Sequence, residues 1–216
     1  PTFMLILFLI VASYHFGKED TWGETKTFMA VEINYFLKGF LIILLPLLLS
    51  FNETLEIFNT LGVRNQEFYN TLIFLNDNNF FPYLVIISFL ANLTLHMKTD
   101  ANKYKYMPDI ISIYALYYVF NPLIAFTVYF CFLHSVRHSA SLINDMKINL
   151  MGFIKKALPL TLLTALLFSI TAYMLTETEN YDIDGSIINV IFIGLASLTF
   201  PHIFLEYLSE KNEKQT

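Results

Sequence analysis

The segment FIKKALPLTLLTALLFSITAYMLT, residues 153–176, decides the fold class of this chain. It carries no charged side chain from residue 157 to residue 176, and about 20 apolar residues are what an α-helix needs to cross a bilayer. The whole chain of 216 residues is 56% hydrophobic and only 14% charged, which is not the composition of a soluble globular protein. The sequence therefore predicts an integral membrane protein.

Similar apolar stretches recur along the chain and predict an all-α fold, a polytopic bundle of about seven transmembrane helices. The stretch from residue 107 to residue 138 is too long for one span, and Asn121-Pro122 within it favours a turn. We expect one integral membrane domain over residues 1–216. The predicted spans lie near residues 2–16, 33–51, 81–97, 107–120, 122–138, 153–176 and 187–208.

The charges between the spans predict the orientation of the chain. Seven spans place twelve Lys and Arg side chains on one side of the membrane and Arg64 alone on the other. Cytoplasmic loops are enriched in Lys and Arg, so we expect a multi-pass protein of the cell (inner) membrane with its C-terminus inside. The net charge of −5 (13 − 18) excludes a basic surface for nucleic acid, which is not an expected partner.

The segment from residue 52 to residue 79 separates two predicted spans and is long for a loop in a compact bundle. Its apolar residues recur at near-helical spacing among polar ones, which is typical of an amphipathic helix on a membrane surface. We therefore expect a helix in this segment, on the outer side.

Histidines are the candidate functional residues of the predicted spans. All five lie toward the predicted cytoplasmic ends of their helices, and this shared depth suggests one site. Two of them are four residues apart on one helix, a spacing that two ligands of one metal can use. With Cys131 as the single cysteine, a disulfide or thiolate-rich metal site is excluded, and nitrogen ligands suit iron, copper or zinc. The five are His15, His96, His134, His138 and His202.

Simpler interpretations exist for several of these residues. A lone histidine near a helix end is commonly an interfacial or hydrogen-bonded residue; this interpretation is favoured for His96 and has equal weight for His202. Asp20 and Glu206 follow histidines closely in the sequence. They are expected to be solvated helix ends or to hydrogen-bond a metal-binding histidine.

Aromatic side chains are abundant, with 22 Phe and 13 Tyr residues. Most are expected to face lipid or to form belts at the membrane interfaces. A subset could line a long apolar tunnel for a polyene or lipid substrate, because such pockets are mostly apolar with few polar groups. The candidates for this lining are Tyr114, Tyr118, Tyr129 and Phe130.

Three motifs along the chain stand out together: SYHFGKED (13–20), YFCFLHSVRH (residues 129–138) and FPHIFLE (200–206). The first resembles an HFG-x-x-D element, the second an HSxRH element and the third a C-terminal Pro-His segment of one enzyme family. That family is the Brp/Blh family of bacterial and archaeal beta-carotene 15,15'-dioxygenases. The resemblance covers essentially the whole chain, in the same order.

The resemblance implies a membrane-embedded enzyme that uses non-haem ferrous iron, Fe(2+), and O2 to cleave beta-carotene into two molecules of retinal. It implies that His15, His134 and His138 are iron ligands. The family's fourth ligand comes from a PHGxxD-like element that this chain lacks. The chain opens at Pro1 and is apolar from Phe3, so we expect further sequence upstream. His202 or Asp20 could be an alternative ligand or could support one through a hydrogen bond.

Other functions stay open at this stage. A membrane desaturase or hydroxylase of the histidine-box kind needs about eight histidines, and this chain has five. A membrane protein that binds haem or another metal through paired histidines, or a transporter, without carotenoid cleavage, is the alternative from a different class. The predicted spans contain two carboxylates, Asp109 and Glu206, each near the end of its span, which argues against a carboxylate-bridged di-iron site.

Overall fold

Helices make up all of the regular structure in the part of the chain that the structure describes, which confirms the all-α class. The computed structural model describes residues 1–20, 28–99, 106–178 and 182–213, with side chains described except at 28–31, 95–99, 106–107, 200 and 205–213. The elements are α1 (Thr2–Glu19), α2 (Phe28–Leu49), α3 (Phe51–Thr60), α4 (Gln66–Asp77), α5 (Phe80–Thr99), α6 (Tyr106–Val119), α7 (Pro122–Val128), a π-helical turn (Tyr129–His134), α8 (Ser135–Asp145), α9 (Leu150–Thr178) and α10 (Ile183–Glu213).

Several of these helices could span a membrane, but the predicted number of seven is not confirmed. By length and composition, four helices in the described part of the chain qualify, or five if the pair α4 and α5, bent by 73°, is one span. The predicted spans at 107–120 and 122–138 correspond to α6, of 14 residues, and to α7, of 7 residues, with the π-helical turn and α8 after it. The four segments that qualify are Thr2–Glu19, Glu32–Leu49, Leu150–Thr178 and Ile183–Phe204.

The predicted break at Asn121-Pro122 is confirmed. The Asn121 side chain accepts a hydrogen bond of 2.9 Å from the Ile124 backbone N–H and so caps α7, while Pro122 occupies the first turn of that helix. An asparagine cap followed by proline is a strong signal for the start of a helix. The cap satisfies a free backbone N–H, and proline has no N–H that needs a partner. The local sequence therefore ends α6 and starts α7 as a separate helix.

The segment between residues 52 and 79 is helical, as predicted, but it forms two helices. Between α3 and α4 the chain turns at Gly62, whose φ of +79° suits glycine. The Asn65 side chain then accepts a hydrogen bond from the Phe68 backbone N–H and starts α4. Gly62 and Asn65 explain why the predicted amphipathic helix is divided into α3 and α4.

The described chain forms two compact units, so the expected single domain stays a prediction. The first unit is Pro1–Asn59 with Val63–Leu142, and the second is Thr60–Gly62 with Ile143–Thr216. In the second unit α9 packs against α10, where a Cβ on Gly194 would lie only 2.3 Å from the Phe168 ring. The glycine makes room for that ring.

In the first unit two glycines let α1 and α2 pack at close range. A Cβ on Gly17 would lie 1.7 Å from the carbonyl oxygen of Tyr35, and a Cβ on Gly39 would lie 1.7 Å from that of Ser13. Small residues allow helix backbones to approach closely in this way. Because Gly17 is two residues after His15, this contact fixes the end of α1 that carries the candidate site.

Candidate active site

Two of the three predicted ligand histidines lie together in the first unit. His15 on α1 and His134 at the end of the π-helical turn are 7% and 6% exposed. Their ring centroids are 5.5 Å apart and the rings are nearly perpendicular. The Nδ1 atom of His138, on α8, lies 2.7 Å from Glu19 Oε2, and Glu19 is within electrostatic range of all three histidines. Glu19, at the end of α1, therefore lies near all three histidines.

Asp20 links the histidine pair to a buried tyrosine. The Tyr129 hydroxyl donates a hydrogen bond of 2.6 Å to Asp20 Oδ2, and Asp20 Oδ1 lies 3.6 Å from His134 Nδ1. Burial by itself would raise the pKa of the Asp20 carboxyl, but the His134 imidazole, the bond from Tyr129 and the Lys38 ammonium hold the pKa below its ordinary value. An ionised carboxylate thus faces His134.

The π-helical turn explains how Tyr129 and His134 come to share Asp20. In an α-helix, residues five apart point in directions about 140° apart. A π-helical turn bonds residue i to residue i+5 and so brings such a pair onto one face. Tyr129 and His134 are the first and last residues of this turn, and both contact the Asp20 carboxylate.

The histidines and carboxylates at this site have some features of a metal site but do not form a complete one. Metal-binding histidines commonly hold a carboxylate with their second ring nitrogen, and Nδ1 of both His134 and His138 faces a carboxylate. The His15–His134 pair is close enough for two ligands of one ion. Among the described side chains, however, no group of three or more His, Cys, Asp or Glu residues is arranged to hold a metal. The ligand role of the three histidines stays a prediction.

Aromatic rings enclose the His134 imidazole. The Phe130 ring stacks on it with centroids 5.5 Å apart, and the Phe16 ring meets it edge-on at 4.9 Å. Tyr129 is fully buried beside them. Phe130 and Tyr129, two of the four predicted tunnel residues, therefore lie at the histidine pair, in a setting that keeps water away.

The other two predicted tunnel residues, Tyr114 and Tyr118, lie on α6 and stack on each other with centroids 6.4 Å apart. Tyr114 lines an apolar groove of about 420 Å³, whereas Tyr118 is 73% exposed. Lys38 is the charged residue of this groove, and its Nζ atom donates a hydrogen bond to the backbone oxygen of Asp20. The groove is formed by Lys38, Leu41, Leu45, Val85, Ile86, Phe89, Leu90, Ile110, Ile111, Ile113, Tyr114 and Ala115.

Two other histidines are placed differently. His202 lies on α10, which belongs to the second unit, and a role for it in metal binding stays a prediction. The side chains of His96 and Glu206 lie outside the described part of the chain.

The sequence reasoning missed four charged residues at this site. Glu19 contacts His138, and both Lys38 and Arg137 contact Asp20. Asp109 contacts Lys38 and Arg137. A signal was present for Lys38, because it is a lone charge in a long apolar stretch and such residues are commonly functional. No sequence spacing connects Asp109 to the site.

Replacing Tyr129 with phenylalanine is expected to lower the free energy of unfolding by about 1 to 3 kcal/mol, because a buried carboxylate oxygen loses its donor. Denaturant unfolding of the detergent-solubilised protein would measure the change. Tyr118→Phe is the control, since its ring is exposed. Equal stability of the two variants would show that the Tyr129–Asp20 bond contributes nothing.

Comparisons with known proteins identify the family of this chain. The family model for beta-carotene 15,15'-dioxygenase matches residues 1–209. The chain is 26% identical over 219 residues to a beta-carotene 15,15'-dioxygenase from uncultured marine bacterium 66A03, covering 95% of this chain and 71% of that protein. No solved structure matches the chain. The family and the relative point to beta-carotene dioxygenase activity, and the chain belongs to the beta-carotene 15,15'-dioxygenase family.

Proposed function

We propose that this protein cleaves beta-carotene at its central double bond with O2, using ferrous iron held by His15, His134 and His138. One C=C bond breaks, and each of its two carbons takes one oxygen atom, so that one carotene and one O2 give two molecules of retinal. Family membership supports the substrate class. The buried pair of His15 and His134, with ring centroids 5.5 Å apart, is the observation that carries the metal site.

The side chains of this site have distinct tasks in the proposed reaction. Iron, when bound, would supply the oxygen chemistry that no side chain can perform. Asp20 and Glu19 face Nδ1 of His134 and His138, and such carboxylates orient a ligand ring and fix its tautomer. Phe16 and Phe130 keep the surroundings of His134 apolar, which suits a polyene and excludes water.

The apolar groove between α2, α5 and α6 is the proposed approach for the substrate. Lys38 is the charged residue of its lining, and the Lys38 ammonium donates a hydrogen bond to the backbone oxygen of Asp20, whose carboxylate lies beside His134. A polyene that never dissolves in water would reach the groove sideways from the bilayer. If the seven predicted spans hold, the excess of Lys and Arg on one side supports an inner-membrane protein with its C-terminus and the histidine cluster toward the cytoplasm.

Metal analysis and product analysis of the purified protein, expressed from its complete gene, test this function together. We expect about one iron per chain, no haem absorption band, and two retinals formed per beta-carotene consumed in the presence of O2. A haem band would move the assignment to a haem protein. Aldehydes of unequal length would contradict central cleavage.

Narrowing the groove is expected to slow the reaction without unfolding the protein. Ala115→Phe places a ring in the lining and should lower kcat/KM for beta-carotene by about tenfold, because a misfit in an apolar pocket commonly has an effect of that size. Steady-state rates with purified protein would measure it. Ala165→Phe, on exposed α9, is the matched control. Equal rates for the two variants would remove the groove from the substrate path.

A further inference from the structure

Three helices contribute charged side chains to one cluster beside Asp20. The Lys38 Nζ atom of α2 donates a hydrogen bond of 2.6 Å to the backbone oxygen of Asp20 and lies 3.5 Å from Asp109 Oδ2 of α6. Arg137 of α8 is 2.5 Å from Asp109 through Nη2 and 3.8 Å from Asp20 Oδ1 through Nη1. Lys38 and Arg137 thus each join Asp109 to Asp20.

This cluster lies where charges are costly. Lys38 is 4% exposed and belongs to the apolar segment Glu32–Leu49, which is long enough to cross a membrane. Ionisable groups inside such segments are rare and mark functional sites. Buried ion pairs are also weak sources of stability, because apolar residues of similar volume often replace them without loss. Stability alone therefore does not explain the cluster.

The cluster acts on the residue that faces His134. The Lys38 ammonium neutralises the negative C-terminal end of α1, where Asp20 is the cap residue. The Arg137 guanidinium and His134 Nδ1 approach the same Asp20 oxygen, Oδ1, from 3.8 and 3.6 Å. Asp109 holds both cations in place. The position of the carboxylate, and of the imidazole beside it, thus depends on side chains from three further helices.

We infer that Lys38, Asp109 and Arg137 are positioning residues that fix Asp20 and, through Asp20, the His134 imidazole. The inference rests on the proposed function, in which His134 is a metal ligand. It predicts that substitutions in the cluster alter metal affinity and ligand geometry even though none of the three residues is proposed as a ligand.

Titration with Co²⁺ tests the inference, because the visible absorption of bound cobalt reports both affinity and coordination geometry. In the purified product of the complete gene, Asp109→Asn is expected to weaken cobalt binding about tenfold and to change the absorption bands. Loss of a residue that orients a ligand histidine typically lowers metal affinity or activity 10–100-fold. Asp109→Glu should restore most of the affinity. Lys156→Met, an exposed charge on α9, is the control with unchanged binding.

A double-mutant cycle separates positioning from a general loss of structure. If Asp109 and Arg137 act as one unit, Asp109→Asn with Arg137→Gln binds cobalt no more weakly than the weaker single variant. If Asp109→Asn fails to fold, Arg137→Gln at its partly exposed position carries the test. Wild-type affinity and spectrum in these variants would overturn the positioning role alone. Absence of cobalt binding by the unsubstituted protein would overturn the metal site and the inference together.

Discussion

Replacement of His134 with alanine is expected to abolish retinal formation and to weaken iron binding by more than about a hundredfold. Loss of a residue that only orients a ligand typically lowers metal affinity or activity 10–100-fold, so loss of the ligand itself should have a larger effect. His134 also faces both His15 and Asp20, so its removal leaves each without its neighbour. Iron content and retinal yield of the purified variant would measure both effects.

Phe132→Ala is the matched control for that variant. Phe132 belongs to the same π-helical turn, but its side chain is 69% exposed. It should therefore keep its iron and its activity. Retention of iron and turnover by His134→Ala would remove His134 from the site, and equal loss in both variants would indicate damage to the turn rather than to a ligand.

Replacement of Gly17 or Gly39 with alanine should destabilise the protein by about 3 kcal/mol or more, near the upper end for overpacking. The new methyl group would lie 1.7 Å from a backbone oxygen of the opposite helix, and a backbone cannot rotate away as a side chain can. The two helices must separate, which displaces His15. We expect a lower thermal midpoint together with loss of bound iron.

Gly152→Ala is the comparison for these variants. Gly152 lies in α9, and the nearest atom to an added Cβ is the end of the Asn149 side chain at 3.0 Å. Its substitution should change the thermal midpoint much less. If Gly17→Ala and Gly39→Ala melt at the wild-type temperature, the close contact between α1 and α2 does not exist as described.

The fold class followed directly from the sequence, because long apolar runs have few alternatives to helices. The break at Asn121-Pro122 was equally predictable, since both residues act locally. The predicted number of seven spans is not confirmed, because apolar length alone does not define a span. The helix α6, for example, has 14 residues, fewer than the roughly 20 that a span needs.

The candidate site was predictable only in part. Motif resemblance singled out His15, His134 and His138, and the structure brings the first two together. The π-helical turn was not predictable, because an aromatic-rich stretch has the same apolar pattern in an α-helix. The contacts of Lys38, Asp109 and Arg137 depend on how separate helices pack against one another. A single sequence does not reveal that packing.

Chromatography of the pigments from beta-carotene-accumulating cells that express the complete gene tests the central claim most directly. Cells with the unsubstituted protein should lose beta-carotene and accumulate retinal, while cells with His134→Ala should keep beta-carotene and contain no retinal. Unchanged beta-carotene in both, with the protein present in the membrane, would contradict central cleavage. Retinal in both would contradict the histidine site.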